Sequence, residues 1–203
     1  MQSTDKSRME TRDLLEDRVY TPVQAFSTDV KYPCTGFCFI VFRNKDKILD
    51  LYHKKDSEGN CKEYHDYILE LIIAAGERKR NNPDIHERGE YINQETIKAD
   101  FPEIYNRLTF KEVGTPTKES FAIAQNELYM MLMDTEMGGC MFVTRSHETF
   151  VMIKIDFERF LVVDSHQAFH GTLSLEKGTH YILKNGIYKG LTQIGYISSG
   201  LFM

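Results

Sequence analysis

Hydrophobic residues follow a helical period in the first part of this chain and a strand-like pattern near its end. Between residues 64 and 75, apolar side chains recur at helical spacing, charged residues lie between them, and Gly76 follows. This spacing predicts an amphipathic helix that lines the core. A second apolar stripe, from Phe121 to Leu132, follows a helix-start signal at Thr115-Pro116 and closes before Gly138-Gly139. A second core helix is therefore expected.

After those glycines, the sequence changes to runs rich in Val, Ile, Phe and Met, which are typical of strands. The segment from Asp156 to Arg159 separates two of these runs and is short enough for a hairpin turn. The chain is therefore predicted to have an α+β fold, in which a helical N-terminal part covers one side of a mostly antiparallel C-terminal sheet. The predicted strands comprise residues 140–144, 149–155, 159–164, 179–183 and 195–198.

The length of 203 residues and the hydrophobic content of 41% suffice for one core, and a second full domain would have little chain left. Residues 1–19 are polar and charged, so we expect a flexible or helical N-terminal extension to a single domain of residues 20–203. Residues 19–32 are expected to be extended. Residues 77–117 are polar and interrupted by prolines, which predicts short helices and loops.

The most abrupt apolar run, residues 34–42, lacks alternation and suits either a buried helix or a buried strand. Pro33 lies directly before it, and a proline keeps the preceding residue extended. A new element is therefore expected to begin at about Cys34, and a helix is the favoured alternative.

Charge and composition exclude several classes of function. The formal net charge is -5, and acidic and basic residues are interleaved, so no basic face is expected to neutralise nucleic-acid phosphates or anionic lipids. No apolar run approaches the roughly 18 residues of a membrane span, and the first residues lack an apolar export signal. We therefore expect a protein that binds neither nucleic acid nor membranes.

The four cysteines form no CxxC pair, and the seven histidines add no ligand-like spacing beside them. Neither a zinc site, nor a disulfide framework, nor any cofactor is therefore predicted. This cysteine usage suits the reducing cytosol or nucleus, where a thiol can act as a nucleophile. The cysteines are Cys34, Cys38, Cys61 and Cys140.

The triplet Asp164-Ser165-His166 lies at the end of a predicted strand. In an extended strand, residues i and i+2 point to the same face, about 6.5–7 Å apart at Cα, so this carboxylate and imidazole can touch. The contact would fix the imidazole tautomer and leave Nε2 to accept a proton from a nucleophile. The alternative is a turn-forming Asp beside an exposed His. Of the other histidines, His170 is expected in a loop and His180 in a strand.

Cys34 supplies a nucleophile if it opens a helix, because the N–H groups and the positive dipole end of a helix N-terminus favour a thiolate. Its alternative role is that of a small buried hydrophobic residue, which suits Cys38 better. Gln24 precedes Cys34, and its amide could donate to an oxyanion alongside the backbone N–H of Cys34. A loop glutamine without any such role is the alternative.

In the order Cys34, Asp164, His166, the chain resembles the herpesvirus tegument-type deubiquitinases, a papain-like cysteine protease group with relatives outside herpesviruses. Most thiol proteases place the histidine before its Asp or Asn. Residues 34–42 look like the nucleophile helix of the family. Residues 127–183 look like its helix, Gly-containing turn, hairpin, Asp-Ser-His segment and closing strand, and they include Gly171 and Gly178.

The resemblance implies a papain-like fold and a role for each candidate residue. Cys34 would be the nucleophile, His166 the base, Asp164 its orienting carboxylate and Gln24 the oxyanion donor. The chain departs from the family pattern next to two of these residues, at Pro33 and Gln167.

The activity that the resemblance implies is that of an isopeptidase, which hydrolyses the bond between the C-terminal glycine of ubiquitin and a lysine. The expected partners are ubiquitin or a ubiquitin-like modifier and its conjugates, and the expected state is a monomer. The expected location is the cytoplasm or nucleus, in a host cell if the source is a virus or an intracellular bacterium. Residues 77–117 are the candidate ubiquitin-facing surface.

Two other functions fit the same residues. The first is a non-catalytic protein-binding module of the same fold, in which the triplet lacks activated geometry. The second is another papain-like thiol enzyme, such as an acyltransferase or a deamidase-type effector.

Overall fold

Seven antiparallel strands form one sheet in the computed structural model, which describes residues 12–31, 33–81, 94–114, 116–145, 148–187 and 192–198. Eight helices accompany the sheet in these ranges, so the α+β prediction is confirmed. The helices are α1 (Gln24–Ser27), α2 (Cys34–Arg43), α3 (Lys45–His53), α4 (Lys62–Arg80), α5 (Gln94–Asp100), α6 (Pro102–Tyr105), α7 (Phe121–Asp134) and α8 (Leu175–Ile187). The strands are β1 (Glu16–Tyr20), β2 (Thr109–Val113), β3 (Cys140–Arg145), β4 (Glu148–Lys154), β5 (Arg159–Val163), β6 (Phe169–Ser174) and β7 (Thr192–Tyr196).

The strand order is β1-β6-β5-β4-β3-β7-β2, and every neighbouring pair is antiparallel. Strands β3 to β6 follow one another as a meander. The β4–β5 turn is the predicted hairpin, because Asp156 Oδ1 accepts hydrogen bonds from the N–H groups of Glu158 and Arg159, both at 2.9 Å. The strands predicted at residues 140–144, 149–155 and 159–164 are therefore confirmed to within one residue.

Helices cover both faces of the sheet. In β4, Val151 and Ile153 point into one cluster with α2, α3 and α4, whereas Phe150 and Met152 point into another with α7 and α8. All four side chains are fully buried, which explains why β4 shows no polar alternation. The expectation of helices on one side is therefore wrong, because helices from the second half of the chain cover the other face.

The two helices predicted from apolar periodicity are present, with different ends. Helix α4 continues for one turn past Gly76. A Cβ atom on Gly76 would lie 2.6 Å from Thr28 Oγ1, so the glycine does not end the helix but allows the α1–α2 connection to approach it closely. Helix α7 begins at Phe121, after Ser120 Oγ accepts a hydrogen bond from the N–H of Thr117 at 2.8 Å. The start expected at Thr115-Pro116 is therefore too early.

The strand expected at residues 179–183 is wrong, because this segment belongs to α8. Helix α8 lies between α7 and the sheet, and its residues Thr179, Tyr181, Ile182 and Leu183 are all nearly fully buried. A Cβ atom on Gly178 would lie 3.2 Å from Leu132 and 3.4 Å from Met152, which shows how closely α8 packs. A helix buried on most sides produces a continuous apolar run that resembles a strand.

Edge strands were not apparent in the sequence. Strand β2, inside the segment predicted as short helices and loops, has four exposed residues and one buried residue, so it carries no strand pattern. Strand β7 begins three residues before the predicted segment 195–198.

The predicted domain boundary after residue 19 falls inside β1, and residues 1–11 lie outside the described ranges. None of the described helices is long and apolar enough to cross a membrane.

Strand β1 passes very close to Gly171 of β6. The β1–β6 register shifts between Glu16 and Val19, and Asp17 in this bulge has a positive φ of 47°. A Cβ atom on Gly171 would lie 2.7 Å from the carbonyl oxygen of Glu16 and 3.0 Å from Leu15 Cβ. Only a residue without a side chain fits there unless β1 moves.

Gly171→Ala is expected to lower the free energy of unfolding by about 1–3 kcal/mol, because the methyl group displaces β1 from β6. Gly114→Ala is the matched control, since a Cβ atom there has no heavy atom within 4 Å. Denaturant unfolding of both variants measures the difference. Equal stability of the two variants would contradict the close approach.

Candidate active site

Cys34 is the first residue of α2, as predicted, and Pro33 is the residue before the helix. The cysteine is 1% exposed. The first turn of α2 is fixed on β4, because Thr35 Oγ1 and Thr149 Oγ1 lie 3.0 Å apart and Cys38 Sγ donates to the Thr149 carbonyl oxygen at 3.4 Å. The thiol of Cys34 therefore lies at a helix N-terminus on a rigid part of the fold.

Asp164 and His166 are in direct contact, in a turn and not in a strand. Strand β5 ends at Val163, and the N–H of Gln167 donates to the carbonyl oxygen of Asp164 at 3.1 Å. Asp164 Oδ1 accepts two hydrogen bonds from His166, from Nδ1 at 2.7 Å and from the backbone N–H at 3.0 Å. The predicted pairing is confirmed, but an Asp-centred turn produces it, not i, i+2 strand geometry.

His166 joins Asp164 to Cys34. A side-chain hydrogen bond with Cys34 and the charge of Cys34 both contribute to raising the pKa of His166. Because Nδ1 is held by the carboxylate, Nε2 is the nitrogen left for the thiol. Asp164 is 1% exposed, and the His166 side chain is 11% exposed. The structure therefore brings together the three residues that the sequence singled out.

The charged form of His166 is strongly favoured. Burial alone disfavours the imidazolium, but the charge and hydrogen bond of Asp164, followed by those of Cys34, outweigh it and raise the pKa of His166 to about 10. The histidine can therefore hold a proton next to the sulfur at neutral pH, which is the arrangement that stabilises a thiolate.

Gln24 lies against the same turn. Its backbone N–H donates to the Ser165 carbonyl oxygen at 2.7 Å, and its Oε1 accepts a hydrogen bond from Ser165 Oγ at 2.6 Å. Because Oε1 is held by a donor, the amide Nε2 is the end that can donate to a ligand. Residues 19–32 were expected to be extended, but they contain the short helix α1, which positions Gln24.

The other three cysteines have structural surroundings. Cys38 is fully buried, and burial, together with the neighbouring Cys34 and Asp164, raises its pKa well above the usual value. Burial also raises the pKa of Cys140, at the start of β3. Cys61 precedes α4 and donates to the Leu51 carbonyl oxygen at 3.6 Å. Their surroundings differ from those of Cys34, which contacts a histidine.

Lys79 is a charged neighbour of Cys34 that sequence reasoning missed. It lies in the last turn of α4, is 4% exposed, and donates through Nζ to the carbonyl oxygen of Lys31, three residues before Cys34. Burial lowers the pKa of Lys79, and its interaction with Cys34 opposes that change. The segment Glu-Arg-Lys-Arg around Lys79 is typical of a solvated helix end, so no sequence signal indicated a buried cation.

The loop predicted around His170 is wrong. The expected loop is the start of β6, and the His170 side chain is fully buried between Asp164 and Tyr64. His180, expected in a strand, lies in α8. Among the described residues, no group of three or more His, Cys, Asp or Glu side chains could hold a metal ion.

Comparison with known proteins adds no family assignment. No protein-family model matches the chain, and no curated protein matches it in sequence. The functional assignment therefore depends on the geometry of the site and on the resemblance of its motifs.

Replacement of Asp164 is expected to change the titration of His166. In Asp164→Asn, the loss of the carboxylate charge should lower the pKa of His166 by about 1–3 from its value of about 10. An NMR titration of the histidine ring signals measures this directly. An unchanged midpoint would mean that Asp164 does not hold the imidazolium.

The same interaction links stability to pH. The pKa of His166 rises from an ordinary 6.5 to about 10 on folding, so its contribution is fully present below pH 6.5 and is lost as the pH rises towards 10. In His166→Gln, this part of the pH dependence should disappear from denaturant unfolding curves. His53→Gln, at an exposed position of α3, is the matched control.

Proposed function

We propose that this protein is a cysteine isopeptidase that cleaves the bond between a lysine and the C-terminal glycine of ubiquitin or a ubiquitin-like modifier. The proposal depends on one observation, the hydrogen-bonded series Cys34, His166, Asp164 that starts at a helix N-terminus. A thiol can attack an amide carbonyl when it is in contact with a base that a carboxylate orients. The resemblance to the tegument-type deubiquitinases supplies the substrate class.

The first half of the proposed reaction forms a thioester. The proton of the Cys34 thiol resides on His166, as the raised pKa of the imidazole allows, so the sulfur attacks the carbonyl carbon as a thiolate, and the carbonyl electron pair moves to oxygen. The backbone N–H of Cys34 and Nε2 of Gln24 donate to this oxyanion. The C–N bond then breaks, and His166 gives its proton to the departing lysine nitrogen.

The second half of the reaction releases the modifier. Water loses a proton to His166 and attacks the thioester carbon, and the C–S bond breaks. The new carboxylic acid releases its proton to solvent, and Cys34 and His166 return to the thiolate and imidazolium pair. The products are a free lysine amine and a modifier with a C-terminal carboxylate, and these steps require no cofactor.

The burial of Cys34 supports a substrate with small residues at the scissile bond. The cysteine is only 1% exposed, so an extended backbone can approach its sulfur more easily than a segment with large side chains. The C-terminal tail of ubiquitin ends in glycines and meets this requirement. Selection by side chains would then take place away from the scissile bond.

Residues 77–117 remain the proposed ubiquitin-facing surface within their described part. Gly36 of the first turn of α2, Lys79 of α4 and Ile97 of α5 line one cavity, so α5 lies beside the end of α2 that carries Cys34. On the side of Gln24, Phe26 is 92% exposed and offers an aromatic contact next to the site. A bound modifier would contact both regions.

The packing of α2 is compatible with the proposed papain-like fold. In that fold the nucleophile helix would lie against the sheet that carries the histidine, and α2 packs on β4. A free thiol persists most readily in a reducing compartment, so we propose the cytoplasm or nucleus, of a host cell if the source is a virus or an intracellular bacterium. We propose that the protein acts as a monomer.

A ubiquitin probe with a C-terminal electrophile tests the proposal. The wild-type protein should gain the mass of one ubiquitin, Cys34→Ala should gain none, and His166→Ala should react about 100-fold more slowly or worse. Cys61→Ala is the matched control, because it removes another thiol, which donates to the Leu51 carbonyl oxygen, and it should react like the wild type.

The outcomes separate three functions. An adduct that depends on Cys34 supports the isopeptidase. Binding of ubiquitin by the folded wild type without an adduct identifies a binding module and overturns the proposal. A reactive Cys34 that neither binds nor cleaves ubiquitin indicates a different thiol enzyme.

A further inference from the structure

His170 is a fully buried histidine directly behind the candidate site. One ring nitrogen, Nε2, lies 3.1 Å from the carbonyl oxygen of Asp164, and the other, Nδ1, lies 2.5 Å from the hydroxyl of Tyr64. Tyr64, on α4, is also fully buried, and the two rings meet edge to face at 83°. The proposed reaction uses neither residue directly.

The partners determine which atoms carry hydrogen. A carbonyl oxygen can only accept, so Nε2 of His170 must donate to Asp164. In the neutral imidazole, Nδ1 is then an acceptor, so the Tyr64 hydroxyl donates to it. A single directed series of hydrogen bonds therefore runs from Tyr64 through His170 to the backbone of Asp164.

His170 and Tyr64 both stay neutral at physiological pH. Burial lowers the pKa of His170 to about 4, although its hydrogen bond and the charge of Asp164 oppose the change. Burial raises the pKa of Tyr64 well above its usual value, and nearby Tyr52 and Cys61 add to this. A proton on Nδ1 of His170 would face the hydroxyl hydrogen of Tyr64, so the neutral state fits the geometry.

The series completes the hydrogen bonding of the turn that carries the triplet. The carbonyl oxygen of Asp164 accepts from the N–H of Gln167 at 3.1 Å on one side and from His170 Nε2 on the other. Both lone pairs of this buried oxygen are thus occupied. Without His170, the peptide group of Asp164 would lose its fixed orientation relative to β6, and its carboxylate would move with it.

We propose that His170 and Tyr64 are positioning residues, which hold the backbone of Asp164 so that its carboxylate orients His166 towards Cys34. The role rests on the proposed thiol chemistry, since it concerns the same site. It also explains why the polar groups of both residues are fully buried, with Tyr64 inside the hydrophobic cluster between the sheet and α2, α3 and α4.

The alternative is that Tyr64 only fills the core, and the chain provides a matched control. Tyr52 is also buried, contacts Tyr64 edge to face at a centroid distance of 6.2 Å, and donates to the Asp17 carbonyl oxygen at 2.5 Å. Tyr52→Phe and Tyr64→Phe remove the same group from neighbouring rings. Only Tyr64→Phe interrupts the series to Asp164.

The experiment compares Tyr64→Phe, Tyr52→Phe, His170→Gln and His170→Leu with the wild type. The readouts are kcat and KM on a ubiquitin C-terminal amide with a fluorogenic leaving group, the NMR titration of His166, and the denaturation midpoint. Tyr64→Phe should lower kcat at least about tenfold with KM unchanged, and should lower the pKa of His166. Tyr52→Phe should shift the denaturation midpoint similarly but leave kcat and the His166 titration unchanged.

His170→Gln keeps a donor near the position of Nε2 and should retain more activity than His170→Leu. Equal effects of Tyr64→Phe and Tyr52→Phe on kcat and on the His166 titration would overturn the positioning role. If the wild type does not cleave ubiquitin substrates, the proposed function fails, but the His166 titration still decides the positioning role. The two failures are therefore distinguishable.

Discussion

The contact between Cys34 and His166 joins two distant parts of the chain, and it depends on how α2 packs against the sheet. Phe39 of α2 stacks on Phe142 of β3 with ring centroids 4.4 Å apart and an interplanar angle of 6°, while Cys38 is hydrogen-bonded to β4. These contacts fix both the rotation and the position of α2. The first residue of the helix is thereby held beside the turn that follows β5.

Helix α4 supports three parts of the site from behind. Tyr64 in its first turn leads through His170 to Asp164, and Gly76 allows the close approach of Thr28 in the connection between Gln24 and Cys34. Lys79 in its last turn holds the Lys31 carbonyl oxygen. One helix of 19 residues thus contacts the segments that hold the base His166, the proposed oxyanion donor Gln24 and the nucleophile Cys34 in place. Such shared support makes the relative positions of these groups insensitive to local motion.

Local sequence signals predicted the parts of the fold that local rules determine. Pro33 and the apolar run after it correctly indicated an element that begins at Cys34, and the short polar segment at Asp156 correctly indicated a hairpin. The two core helices followed from their periodicity. These features depend on neighbouring residues alone.

The remaining features depend on tertiary contacts that a single sequence does not display. Helix α8 resembles a strand because both α7 and the sheet bury it, and edge strand β2 has almost no buried face. In the site, Asp164 and His166 could be paired from their spacing, but the turn that joins them could not. His170 and Lys79 are polar residues in polar segments, and only the folded chain shows that both are buried.

If Cys34, His166 and Asp164 act as one unit, the alkylation rate of Cys34 by iodoacetamide at pH 7 depends on all three residues, and this rate can be measured without any assumed substrate. The rate would be measured by peptide mass in the wild type, Asp164→Asn, His166→Gln and the double variant. Both single variants should react at least about tenfold more slowly than the wild type, and the double variant should react no more slowly than His166→Gln. Unchanged rates in the single variants, or effects that multiply in the double variant, would show that the three residues do not act as one unit.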